Sequence, residues 1–167
     1  MGSQTFASPL GLLTVTSNGQ ALTALDWPEA HQPATPLSTI PTPETPDPTA
    51  DAITRQAVAE LQAWFAGEQR DFTVPLAPAG TPFQRRVWQA MAAIPYGQTW
   101  SYGQLAAAVG SAPRAIGGAC GRNPLPIILP CHRVVNHAGA LHGYSGAGAL
   151  ITKAWLLAHE RRVAGAT

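Results

Sequence analysis

The chain has 167 residues, of which 46% are hydrophobic and 11% charged, with a formal net charge of +1. No apolar run approaches the ~20 residues needed to cross a bilayer, and two cysteines, Cys120 and Cys131, cannot staple a disulfide scaffold. Collagen, coiled coil, membrane protein and disulfide miniprotein are therefore excluded, and no basic-then-apolar stretch opens the chain as a secretory signal would.

Residues 1–27 read as strands. Ser8-Pro9-Leu10-Gly11 is turn chemistry, and the apolar positions Leu13, Val15, Leu22, Leu25 and Trp27 flank Asn18-Gly19, a hairpin signal. Seven of the sixteen prolines then fall within residues 28–48 with no periodic apolar face, so a long Pro-rich loop is expected over 28–50. From Asp51 to Phe65 the residues Ile53, Ala57, Val58, Leu61, Trp64 and Phe65 recur at helical spacing, with Gly67 as a stop. Phe72, Val74 and Leu76 alternate, which predicts a short strand.

The second half opens at Thr81-Pro82-Phe83-Gln84, a helix start with Thr as cap, Pro first and Gln three on. Phe83, Val87, Trp88, Met91 and Ala92 supply its buried face, and it stops before Pro95-Tyr96-Gly97. Ser101-Tyr102-Gly103-Gln104 is a second capping box, opening a short helix over 104–109. After the turn Gly110-Ser111-Ala112-Pro113, a third helix is expected over 114–120, and the pair fits a helix-turn-helix.

That third helix, Arg114-Ala115-Ile116-Gly117-Gly118-Ala119, is chemically odd. Two glycines cost about 2 kcal/mol relative to alanine. Either another helix packs closely on them, or the backbone approaches something large and flat with Arg114 as the one long side chain, as in a minor groove. The prolines at 124, 126 and 130 exclude a helix, so Ile127, Ile128 and Leu129 read as a strand-like run that delivers Cys131 at its end. Residues 136–145 are glycine-rich and read as a wing, and a last helix over 149–161 turns Leu150, Trp155, Leu156 and Leu157 inward.

Charge is split along the chain. Residues 1–71 carry eight acids and two bases, a net of −6, whereas residues 72–167 carry eight bases and one acid, a net of +7. Such a split marks a polyanion-binding half or two halves that attract each other. It also isolates Glu160, an acid near a helix C-terminus, where the dipole opposes it and a compensating partner is expected.

Cys131 is the central chemical candidate. An unpaired cysteine is more often a small buried hydrophobe than a nucleophile. Here His132 follows directly and Arg133 adds positive charge, the kind of setting that stabilises a thiolate. Neighbouring side chains on an extended segment point apart, so His132 reaches Cys131 only through a bend or a water. Glu160 is placed to hold the other imidazole nitrogen, as the acid of a triad does. His137 and His142 read as solvated loop residues and His159 as a surface residue. Cys120, Cys131 and His132 lack a fourth ligand and metal-site spacing, and no G-x-S-x-G elbow accompanies Tyr144 and Ser145.

At Pro130-Cys131-His132-Arg133-Val134 the chain resembles the O6-alkylguanine-DNA alkyltransferases, also called methylated-DNA–protein-cysteine methyltransferases. Five further segments agree in order: Phe83 to Trp88, Ile94-Pro95-Tyr96-Gly97, Ser101-Tyr102, Arg114 to Gly118, and Asn123-Pro124. The resemblance implies an amino-terminal ribonuclease-H-like α/β domain over 1–80 and a carboxy-terminal winged helix-turn-helix domain over 81–167. It implies direct reversal of DNA damage, in which Cys131 takes the alkyl group from O6-alkylguanine, and less readily from O4-alkylthymine, and the protein is consumed. The partner would be double-stranded DNA with an alkylated base, met by a monomer without membrane or cofactor, in the cytoplasm and at the nucleoid if bacterial.

By motif, Cys131 matches the acceptor, His132 the water-linked base, Glu160 the acid behind it, and Tyr102 the donor to the departing base at N3. Ser145 matches the residue at O6, with Tyr144 beside it, and Arg114 matches the finger that replaces the flipped base. Ala115, Gly117, Gly118 and Arg133 fall on the DNA or substrate side, and Asn123 matches the residue that pins the turn before Cys131. Extrusion suits the chemistry, because the alkyl carbon is buried against the pairing partner, and protonation by Tyr102 would ease departure of a guanine anion. The turn before Arg114 is shorter than in relatives with a longer loop, Ala147 stands where a second glycine commonly follows Ser-Gly, and the amino-terminal zinc ligands of some members have no match, so no metal is expected. The alternatives are a non-catalytic alkyl-lesion binder, which would lack the acceptor cysteine, and a winged-helix transcription factor, which would leave Cys131 and Glu160 without a purpose.

Overall fold

A computed structural model of the chain describes residues 2–26, 49–135 and 149–165, apart from the side chains of 149–152. The chain divides into two compact units, Met1–Pro78 and Ala79–Thr167. Trp27, most of the Pro-rich stretch, the expected wing with His137, His142, Tyr144 and Ser145, and Ala147 lie outside the described residues.

The first unit is an antiparallel meander with one helix. Strands β1 (Gly2–Ser8), β2 (Gly11–Ser17) and β3 (Leu22–Asp26) pair in that order. Gly11 adopts φ 103° and Gly19 φ 92°, left-handed values that favour glycine in both turns. The Asn18 carboxamide accepts from the Gln20 and Ala21 amides across the second turn. Phe6, Leu13, Val15 and Leu25 are buried, and helix α1 (Ala52–Phe65) packs on β1 and β2 through this layer with Ala57, Val58, Leu61 and Trp64. Asp51 caps α1 by accepting from Thr54 N, and the Ser17 hydroxyl donates to the same carboxylate, so the helix start is tied to the end of β2. The end of the Pro-rich stretch returns to the sheet edge, where Thr49 O accepts from Ser3 N.

The strand expected over Phe72–Leu76 does not form. Only a single bridge joins Leu76 to Leu22, because Pro75 and Pro78 carry no amide to extend a ladder. The segment is held instead by Glu60 of α1. This buried carboxylate accepts from Thr73 N at 2.8 Å, Thr73 Oγ1 at 2.5 Å and Val74 N at 3.2 Å.

The second unit is mainly helical. Thr81 caps α2 (Pro82–Ala92) with Pro82 first, Gln84 closing the box, and Val87, Trp88 and Met91 buried. Phe83 is half-buried and Ala92 exposed, so the buried stripe is narrower than expected. Helix α3 (Tyr102–Val109) begins two residues before the expected start, since Ser101 is its cap and Tyr102 its first residue. It ends at Gly110 in the left-handed conformation, φ 69°. Helix α4 (Pro113–Gly121) completes the helix-turn-helix, and Trp88 Nε1 donates to Ala119 O at 2.9 Å to lock α4 onto α2.

The run Ile127–Leu129 is not a strand. It is a buried turn with Leu129 N bonded to Leu125 O and Ile127 at φ 74°, an uncommon backbone for a β-branched residue. Three nearby prolines remove the donors that a strand would need. A 3₁₀ turn, Cys131–Arg133, follows and runs into β5 (Val134–Val135), which pairs in parallel with β4 (Trp100–Ser101). Helix α5 (Ala149–Gly165) extends past the expected end and buries Lys153, Leu156, Leu157, His159 and Glu160. His159 is therefore not a surface residue. It stacks on Trp155 at 5.0 Å, and its Nδ1 lies 3.1 Å from Arg162 Nη2. No described helix is long and apolar enough to cross a membrane.

Candidate active site

The ladder between β4 and β5 sets the site. It places Ser101 opposite Val135, so the first residue of α3, Tyr102, starts beside the turn that carries Cys131. The bend that lets His132 share that turn with Cys131 is the 3₁₀ geometry, entered through Pro130. Cys131 N bonds to Leu129 O at 2.8 Å, which fixes the sulfur at the mouth of the turn.

Asn123 organises the approach. Its Nδ2 donates to Leu129 O at 2.8 Å and to Cys131 Sγ at 3.2 Å, while its Oδ1 accepts from Leu125 N at 2.9 Å. Burial pushes the Cys131 thiol up to about 11, opposed by the Asn123 bond and by the Lys153 charge. The resting sulfur is thus a thiol, and a base must take its proton for it to react.

His132 Nε2 lies 2.7 Å from Glu160 Oε2, and both side chains are fully buried. Burial by itself pushes the Glu160 carboxyl up, but bonds and charges from His132 and Arg133 outweigh it and hold it near 2. His132 is pushed below its ordinary value, chiefly by burial and also by the Arg133 and Lys153 charges, against the pull of Glu160. The carboxylate thus engages Nε2 of the ring, and Nδ1 is its second nitrogen.

The structure brings Cys131, His132, Glu160, Asn123 and Tyr102 together. Tyr102 is buried, and burial with the two nearby thiols raises its phenol above the usual tyrosine range, so it keeps its proton. Arg133, expected on the DNA or substrate side, is turned inward. It is buried, donates three bonds to Glu160 at 2.8–3.1 Å, and donates Nη1 to Ile94 O at 2.7 Å.

Sequence reasoning missed Lys153. It is the chain's single lysine beside nine arginines, and it shares one face of α5 with Leu156, Leu157 and Glu160. Its position on an apolar stripe was the available signal. Its Nζ stands 5.8 Å from the Tyr102 ring centre, and its charge acts on Cys131 and Cys120.

Helix α4 presents a smooth surface. Arg114, Ala115 and Gly118 are exposed, and a Cβ added at Gly117 or Gly118 would meet no described atom within 4 Å. Among the described residues, no element packs closely on these glycines. Among the described residues, no group of three or more His, Cys, Asp or Glu side chains could hold a metal ion.

Residues 82–162 match the family model described as 6-O-methylguanine DNA methyltransferase, DNA binding domain, and residues 1–78 match the ribonuclease-like domain of the same family. The chain belongs to the 6-O-methylguanine DNA methyltransferase family. It is 43% identical over 167 residues to the constitutive methylated-DNA–protein-cysteine methyltransferase of Bacillus subtilis, covering 94% of this chain and 93% of that relative. The Mycobacterium bovis methylated-DNA–protein-cysteine methyltransferase is 46% identical over 146 residues, covering 86% of this chain and 83% of that protein. Among solved structures, Mycobacterium tuberculosis OGT in complex with DNA superposes with a TM-score of 0.79 at 41% identity, over 98% of this chain and 94% of that one. Membership supports the ribonuclease-like and DNA-binding architecture expected above, and it places the chain among methylated-DNA–protein-cysteine methyltransferases.

Proposed function

We propose that this chain repairs double-stranded DNA by moving the alkyl group of O6-alkylguanine, and less readily of O4-alkylthymine, onto Cys131 in a single turnover. The observation that carries the reading is the buried His132, on the same turn as the Cys131 thiol and paired with Glu160 of α5, beside a thiol that needs a base. The thiol proton passes through a water to His132 Nδ1, and Glu160 stabilises the imidazolium as it forms. The sulfur attacks the alkyl carbon, an S–C bond forms, and the C–O6 bond breaks. The electron pair leaves with guanine, which takes a proton at N3 from Tyr102, and the proton held by His132 passes back through water to the tyrosinate. The thioether has no leaving group to return it to a thiol, so the protein is consumed.

For the sulfur to reach that carbon, the base leaves the stack. The small-residue surface of α4, exposed at Ala115 and Gly118 and half-buried at Gly117, lets the helix backbone press into the minor groove, and Arg114 fills the vacated place. Asn123 holds the turn, and Ser145, with Tyr144 beside it in sequence, is assigned to O6 by motif alone. The protein acts as a monomer, in the cytoplasm.

The test is incubation with an oligonucleotide duplex carrying O6-methylguanine, followed by peptide mass mapping. One methyl on the Cys131 peptide per protein molecule is expected. Tight lesion binding without modification would make the chain a lesion binder instead. Cys131→Ser should keep binding and lose transfer, and Arg114→Ala should slow transfer from duplex more than from a single strand.

A further inference from the structure

The acid behind His132 is not a lone carboxylate. Glu160 Oε1 accepts from Arg133 Nε at 2.9 Å and from Gly97 N at 3.2 Å, while Oε2 takes both His132 Nε2 and Arg133 Nη2. Arg133 is itself fixed, with Nη1 on Ile94 O and its guanidinium 5.5 Å from the Tyr96 ring centre. A buried guanidinium and a buried carboxylate in forked contact carry no net charge between them.

That cancellation changes what the carboxylate does to the ring. An unbalanced carboxylate 2.7 Å from an imidazole favours the imidazolium, and a ring that already holds two protons cannot accept one from Cys131. We propose that Arg133 is a positioning residue that balances Glu160, so that His132 rests as the neutral Nε2–H tautomer with Nδ1 unprotonated. The proposal rests on the alkyl-transfer reading given above and deepens it. The site is then a four-residue relay in which a buried cation adds to burial in keeping the base neutral.

The groups that face the ring agree. Among the described residues the charges that act on it are Arg133 from its own turn, which also carries Cys131, and Lys153 and Glu160 from α5, with Tyr96 against Arg133 from the loop after α2. Two cations and one anion surround a fully buried ring, and this balance disfavours a third positive charge. Gly97 adds a backbone donor to Glu160. At φ 79°, with Ala164 Cβ only 3.2 Å from where its own Cβ would stand, it holds that place as glycine.

The test reads the ring directly, in DNA-free protein, by nitrogen-15 NMR of labelled histidine. In the wild-type protein at pH 7, His132 should show a protonated Nε2 and a bare Nδ1, and an imidazolium signal there overturns the proposal without any variant. In R133M the His132 midpoint should rise by about 1 pH unit or more, the scale of an exposed neighbouring charge. The acid limb of the methyl-transfer rate should move up with it. R133K, which keeps the charge, should restore most of the wild-type midpoint. A folded R133M with an unmoved midpoint, or R133K shifted as far as R133M, would reduce Arg133 to a structural prop. If the wild-type protein takes no methyl from O6-methylguanine DNA, the functional reading fails on its own, because the titration needs no substrate.

Discussion

The ammonium of Lys153 stands 5.8 Å from the centre of the Tyr102 ring, with both side chains buried. Burial lowers the lysine below its ordinary value, and the two thiols pull it back up. The same field favours a Cys131 thiolate. Lys153→Met removes it, so the thiol rises and less of it ionises at a given pH. Iodoacetamide labelling of the Cys131 peptide at pH 8 should slow by about threefold to tenfold, tenfold being one unit of thiol pKa. Thermal stability should stay equal or increase, since a buried cation gives way to an apolar side chain. An unchanged labelling rate would remove Lys153 from the chemistry.

Glu160 and His132 together make stability depend on pH in one direction. The folded Glu160 value, about 2, lies below its ordinary 4.5, so its contribution is complete above 4.5 and is lost as pH falls through 2. His132 is also held below its ordinary 6.5, so the unfolded chain binds that proton first and stability falls as pH drops below 6.5. For Glu160 alone the loss is on the order of 3 kcal/mol. Urea unfolding of the second unit, followed by tryptophan fluorescence at pH 7, 5 and 3, should show the midpoint falling steadily. Glu160→Gln should be less stable at pH 7 and flatter between pH 4.5 and 2. Equal stability at pH 7 and pH 3 in the wild-type protein would contradict the pairing.

Asn123 separates holding the turn from tuning the sulfur. Asn123→Asp keeps the acceptor for Leu125 N, loses the donors to Leu129 O and Cys131 Sγ, and adds a negative charge beside the thiol. Asn123→Ala loses all three contacts and should cost about 1–3 kcal/mol. Differential scanning calorimetry should therefore rank Ala as the less stable or equal variant. Cys131 labelling should rank Asp as the slower, because only the carboxylate opposes a thiolate. The reverse order in labelling would mean that the turn, and not the charge at sulfur, sets reactivity.

The helices were legible in the sequence because each has a local signature. Thr81 with Gln84 and Ser101 with Gln104 are capping boxes in the structure, and Gly110 stops α3 as a left-handed glycine. The Glu160 partner was foreseeable from its isolation in a basic half and its place against the helix dipole. What escaped has no local period to announce it. The ladder between β4 and β5 has two residues a side, too short for any period. Ile127 to Leu129 looked like a strand because apolar composition does not reveal missing amide donors or a positive φ. Arg133 read as a cation for DNA because a sequence does not say that Glu160, 27 residues on, turns it inward. His159 was misplaced because its cover is a stacked Trp155 on its own helix.

The glycines of α4 carry a prediction of opposite signs. Both lie in helical backbone and face open space, so Gly117→Ala and Gly118→Ala add a methyl without a clash within the described residues. Each should stabilise the free protein by about 1 kcal/mol, because alanine restricts the unfolded chain and favours helix. In the proposed docking of α4 on DNA, the same methyl would stand between the helix backbone and the groove wall. Duplex binding should weaken by about tenfold, or 1.4 kcal/mol, for the double variant. Thermal unfolding and fluorescence anisotropy on one preparation check both halves. A stabilised variant that binds duplex as tightly as the parent would show that DNA does not lie against this face of α4, and Arg114 would lose its place as the residue inserted into the stack.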